Sequence, residues 1–87
     1  MKAWVYILES TEGKFYIGST DNLERRMLQH KQGHTQTTRS MGGFKIVLAQ
    51  EYPSLGLARK VERKIKGLKR KDYIEKMVQE GYIRVAP

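Results

Sequence analysis

The sequence predicts an α+β fold: a small three-stranded antiparallel sheet flanked by helices, in the order ββαβαα. Three observations lead there. The apolar runs Val5-Tyr6-Ile7-Leu8 and Tyr16-Ile17-Gly18 flank a turn signal, Ser10-Thr11-Glu12-Gly13. A third β-like run follows from Phe44 to Tyr52. Stretches with helical apolar spacing then close the chain. The 87 residues suffice for one compact domain with a small core, so 1–87 reads as a single domain.

The first strand, Ala3 to Glu9, is apolar on both faces and so belongs at the centre of its sheet. A three-residue loop Thr11-Glu12-Gly13, with glycine in the left-handed position, is a common hairpin connection. It leads into the second strand, Phe15 to Ser19, and places Tyr6 opposite Gly18 and Leu8 opposite Tyr16. Side chains alternate across a strand, so both tyrosines share one face. Two phenols beside a glycine make a shallow polar pocket, which a purely structural hairpin does not require.

Asp21 followed by Glu24 is a capping-box pattern, opening a helix of about ten residues that ends near Gly33. His34 to Gly43 is polar and glycine-bearing, hence loop. Phe44 to Tyr52 alternates around Ile46 and Leu48 as a third strand. Pro53-Ser54 starts a second helix with the apolar stripe Ala58, Val61, Ile65 and Leu68, and Gly67 weakens its last turn. Asp72 with Glu75 caps a third helix through Val78, closed by Gly81.

Composition narrows the function. Cysteine is absent, which excludes disulfides and thiolate metal sites. No apolar run approaches membrane-spanning length and the N-terminus opens into strand-like sequence, so the cytoplasm is the expected compartment. Seventeen Lys and Arg against nine Asp and Glu give +8, a field suited to a polyanion. Eight of those cations lie between Arg59 and Lys71, where Glu62 is the sole acid. Such a track suits a phosphate backbone, with Arg59, Arg63, Lys66, Lys69, Arg70 and Lys71 as its contact candidates.

Arg26, His30, Leu23 and Met27 fall within a roughly 100° arc of the first helix, the face that packs on the sheet. Taken singly, His30 reads as a satisfied boundary histidine and Arg26 as a side chain snorkelling over the core. As an inward pair they need polar partners, which the hairpin tyrosines can supply. Glu62 sits at the edge of the second helix's apolar stripe. It reads either as a surface ion pair with Lys66 or Arg59, or as a ligand for Mg²⁺, which completes its shell with water and substrate phosphate.

Tyr6, the run Tyr16-Ile17-Gly18-Ser19-Thr20, Arg26 with His30, and Glu62 on a basic helix together resemble the GIY-YIG nuclease domain over nearly the whole chain. The similarity is greatest to its small stand-alone bacterial members. The first motif departs, reading Trp4-Val5-Tyr6, but keeps the tyrosine; His34, Thr37, Thr38 and Arg39 are the groups available where many relatives place a further polar side chain.

The resemblance implies metal-assisted hydrolysis of a phosphodiester. Tyr6, Tyr16, Arg26, His30 and Glu62 would be the catalytic residues, expected to line one concave surface. Glu62 would hold Mg²⁺ or Mn²⁺, and Tyr6 would orient or deprotonate the attacking water. Arg26 would stabilise phosphoryl charge, His30 relay a proton or orient a tyrosine, and Tyr16 contact phosphate or water. Gly18 would let the sugar-phosphate backbone approach. The expected function is a structure-selective or partner-directed endonuclease acting on DNA rather than RNA, in repair or recombination, with a protein partner supplying target selection. The alternative is a non-catalytic nucleic-acid-binding module of the same fold. A ribonucleoprotein component would account for charge and size but not for the tyrosines and Glu62.

Overall fold

A computed structural model describes residues 2–31 and 43–85. Within them the elements run β1 (Ala3–Ser10), β2 (Phe15–Thr20), α1 (Leu23–Lys31), β3 (Phe44–Tyr52), α2 (Leu55–Leu68) and α3 (Lys71–Glu80). The sheet is antiparallel in the order β2-β1-β3, so the strand that is apolar on both faces is indeed central. Tyr6 pairs with Gly18 and Leu8 with Tyr16, the register that the hairpin loop requires. Gly13 closes that loop at φ 81°, with its N–H donating to the Ser10 carbonyl at 3.0 Å.

Alternation along β1 divides the interior. Ala3, Val5 and Ile7 face a main core completed by Leu48, Tyr52, Ala58, Val61, Ile65, Ile74, Met77 and Ile83. Tyr6 and Leu8 point the other way, where Leu23, Met27, Tyr16 and Phe44 cover them. Helices α2 and α3 therefore cover one face of the sheet and α1 the other. The β2 strand is an open edge between them.

Several boundaries differ from the sequence expectation, each for a local reason. Asn22, not Asp21, caps α1: its Oδ1 accepts from the Arg25 N–H at 3.0 Å. Thr20 fixes this register by accepting from the Asn22 N–H at 3.1 Å, while Asp21 pairs with Arg25 across the surface. Ser54 caps α2 as expected, accepting from the Leu57 N–H. Leu68, however, is 38% exposed, because the chain leaves the helix at Lys69 in a left-handed conformation. The stripe ends at Ile65.

Asp72 does not cap α3. The cap position is Arg70, without a side-chain cap bond, and Asp72 lies in the first turn, paired with Arg70 at 2.9 Å. Gly81 closes that helix at φ 80°, donating to the Met77 carbonyl. In β3 a register shift sets Ile7 opposite Leu48 but Leu8 opposite Ile46. This bulge breaks the alternation, so Leu48 is buried while Ile46 is 42% exposed. The expected end of α1 near Gly33, and His34, Thr37, Thr38 and Arg39, lie outside the described residues. Among the described residues, no helix is long and apolar enough to cross a membrane.

Candidate active site

The open edge at β2 carries a cavity of about 330 Å³. Tyr6, Tyr16, Arg26, His30 and Glu62 all line it, together with Gly18, Ser19 and Lys66. They do not arrive from one face. Tyr6, Tyr16, Arg26 and His30 come from the α1 side, whereas Glu62 projects from α2, on the side to which Ser19 points. The cavity wraps the edge strand, and that brings the carboxylate and the phenols to one concave surface. On a central strand the same placement would have put the sheet between them.

Tyr6 is the hub. Its ring is 2% exposed, and its hydroxyl lies 2.9 Å from His30 Nε2 and accepts from Arg26 Nε at 3.1 Å. The imidazole is 5% exposed and packs edge-on against both Tyr6 and Phe44. Burial pushes the His30 pKa below its ordinary value, and the neighbouring Arg26 charge lowers it further. Both effects favour the neutral imidazole. Arg26 Nη1 also donates to Gln29 Oε1 at 3.3 Å. These bonds use two of the five guanidinium N–H groups, so donors on Nη1 and Nη2 remain for a two-bond grip on phosphate.

Gly18 has a different use from the one expected. A Cβ there would stand 2.5 Å from the Tyr6 Cζ and still closer to its hydroxyl oxygen. The room above Gly18 is taken by the phenol rather than left for a substrate backbone. The glycine lets the Tyr6 ring lie across the neighbouring strand, where its hydroxyl meets His30 and Arg26.

Glu62 is 18% exposed at its side chain, too enclosed for a plain surface pair. One oxygen accepts from the Ser19 hydroxyl, and the other pairs with Lys66 Nζ at 2.7 Å. An ammonium thus already sits at this carboxylate, where a hard cation would bind. Among the described residues no three His, Asp, Glu or Cys side chains cluster as a metal cage. The donor set fits an ion that takes one protein carboxylate and draws the rest of its shell from water and phosphate. Ser19 is the site residue that sequence reasoning passed over. Its alternation with Gly18 was available as the signal, since it directs the hydroxyl toward α2.

The basic candidates divide. Arg59 borders a recess of about 150 Å³ with Arg25 and Arg26, adjoining the cavity through Arg26 and Ser19. Lys66, Lys69, Arg70 and Lys71 border a larger cleft on the other side. Arg63 is exposed on α2, away from these three hollows.

Comparison with known proteins bears on the family and the fold. The family model of the GIY-YIG catalytic domain matches residues 2–77. A UPF0213 protein of Nitratidesulfovibrio vulgaris is 38% identical over 64 residues, covering 72% of this chain and 58% of its own length. The UPF0213 protein BH0048 of Halalkalibacterium halodurans is 36% identical over 72 residues, 82% of this chain and 77% of that protein. A solution NMR structure of the UPF0213 protein BH0048 from Bacillus halodurans superposes with a TM-score of 0.59 and 33% identity, covering 93% of this chain and 87% of that one. Nucleases of this domain type generally use divalent metals. With the family model covering residues 2–77, the chain belongs to the GIY-YIG family.

Proposed function

We propose that this protein is a divalent-metal-dependent endonuclease that hydrolyses phosphodiester bonds in DNA. The observation that carries the reading is the Tyr6 hydroxyl, held between a neutral imidazole and a guanidinium in a cavity that Glu62 borders. With its proton on Nδ1, His30 accepts from Tyr6 through Nε2. The phenol oxygen can then take a proton from water as its own passes to His30, so the proton moves inward and the water oxygen is freed to attack phosphorus. Arg26 supports the negative charge that attack then builds on the phosphoryl oxygens. Tyr16 borders the same cavity and would orient water or a phosphate oxygen. Glu62 would hold Mg²⁺ or Mn²⁺, which when bound polarises the scissile phosphate and neutralises the leaving oxygen.

Cation-lined hollows on both sides of the cavity support a backbone passing across the β2 edge. No reader helix or zinc module is evident in the sequence, so cutting would follow DNA structure or a protein partner rather than base sequence. Repair or recombination is the setting such cutting would serve. One observation favours a second reading, a nucleic-acid-binding module without turnover. Both Glu62 oxygens already have a partner, and the Lys66 ammonium competes with a divalent ion for the carboxylate. Branched, nicked, single-stranded and duplex substrates, incubated with Mg²⁺ or Mn²⁺ and with chelator, distinguish the two. Metal-dependent strand cleavage supports the enzyme; binding without cleavage on every substrate supports the module.

A further inference from the structure

The cleft beside the candidate site has a chemistry that phosphate binding alone does not call for. It measures about 460 Å³, within the range of small-molecule pockets. Its floor is apolar: half-buried Phe15 and Ile17, backed by buried Ile65 and Ile74. Lys14, Lys69 and Lys71 border this floor, with Arg70 beside them held to Asp72. Phe15, Tyr16, Ile17 and Lys66 line both this cleft and the candidate site, so the two are continuous along the β2 edge.

The backbone adds an independent observation. Lys69 adopts φ 49°, the sole non-glycine residue with positive φ among those described. A lysine there is strained relative to glycine or asparagine, and such strain recurs at functional positions. The turn that it makes joins α2 to α3 and puts three successive cations, Lys69, Arg70 and Lys71, at the cleft.

The geometry points to an unpaired nucleobase as the occupant, the base of a nucleotide next to the phosphate in the candidate site. A base in a duplex has its ring faces covered by its neighbours and offers only its edges. An unpaired base presents a flat apolar face to Phe15 while its flanking phosphates meet the lysines, which is how single strands are held on aromatic platforms. This inference rests on the proposed nucleic-acid reading and deepens it: the preferred substrate carries a flap, bulge or single-stranded extension at the cut.

Equilibrium binding tests it with a duplex bearing a short single-stranded extension, and with the same duplex carrying abasic residues in that extension. The wild-type protein should bind the base-containing form at least about fivefold more tightly, as stacking of one base supplies. Phe15→Leu keeps the apolar volume and should erase that preference while leaving the salt dependence unchanged. Lys69→Gly, which relieves the strained turn and so keeps the fold, should weaken both forms by the same factor. Equal wild-type affinity for the two forms overturns the inference and leaves the nucleic-acid reading standing. Failure to bind any oligonucleotide overturns both.

Discussion

Gly18→Ala is the substitution whose outcome the structure specifies most closely. In an ordinary strand it would be neutral or helpful, since alanine has less backbone entropy to lose than glycine by roughly 0.5–1 kcal/mol. Here the added methyl would lie 2.5 Å from Tyr6 Cζ and 3.0 Å from Cε2. Restoring van der Waals contact moves the ring by about 1 Å. The ring is boxed in by Leu8, Leu23, Met27 and His30 and cannot swing free. A shift of that size carries the bonds of 2.9 and 3.1 Å beyond useful length.

Overpacking costs about 1–3 kcal/mol and each of the two lost hydrogen bonds about 1, so after the backbone gain the net loss is about 2–4.5 kcal/mol. For a domain of this size that lowers Tm by roughly 10–35 °C. Thermal unfolding followed by circular dichroism measures it, and a cycle with Tyr6→Phe isolates the cause. Without the hydroxyl, the penalty of Gly18→Ala should shrink by about 1–2 kcal/mol. A Gly18→Ala protein as stable as wild type would refute the reasoning.

Three further outcomes are expected. Burial and the Arg26 charge lower the folded-state pKa of His30 below the unfolded value of 6.5; its contribution to stability is complete above pH 6.5 and declines as pH falls below it, because the unfolded chain then binds the extra proton. Imidazole titration by NMR should give a midpoint under 6.5, and a midpoint above it would contradict the burial argument. Asn22→Ala should cost about 1 kcal/mol through loss of the α1 cap, whereas Asp21→Ala should change stability little; denaturant titration compares them. Replacing Lys69, Arg70 and Lys71 with alanine should weaken nucleic-acid binding on all sequences alike and reduce the slope of log affinity against log salt by about two to three.

The hairpin was legible because its information is local. A three-residue loop with Gly13 admits one register, and that register decides which side chains accompany Tyr6. The inward pairing of Arg26 and His30 followed from helical period for the same reason. Caps were harder to place, since Asp21 and Asn22 are adjacent residues able to cap and only the Thr20 hydroxyl, bonded to Asn22, decides between them. The bulge in β3 left no mark on the apolar alternation, so Ile46 looked like core. Two features depend on contacts between elements distant in sequence. One is Gly18 making way for Tyr6; the other is Glu62 reaching the cavity around an edge strand to meet Ser19, 43 residues away. Neither separation in sequence nor residue type announces such a meeting.

Glu62→Gln is the measurement closest to the central proposal, with strand cleavage and equilibrium binding read side by side at one salt concentration. The amide keeps the side chain's shape but loses the charge that attracts a divalent ion. The enzyme reading predicts that metal-dependent cleavage is lost while binding is unchanged or slightly tighter, because a negative charge beside phosphate is removed. Arg26→Ala in the same assay should also abolish cleavage, with some loss of binding. A Glu62→Gln protein that cuts as well as wild type would contradict the assignment of the carboxylate to the metal.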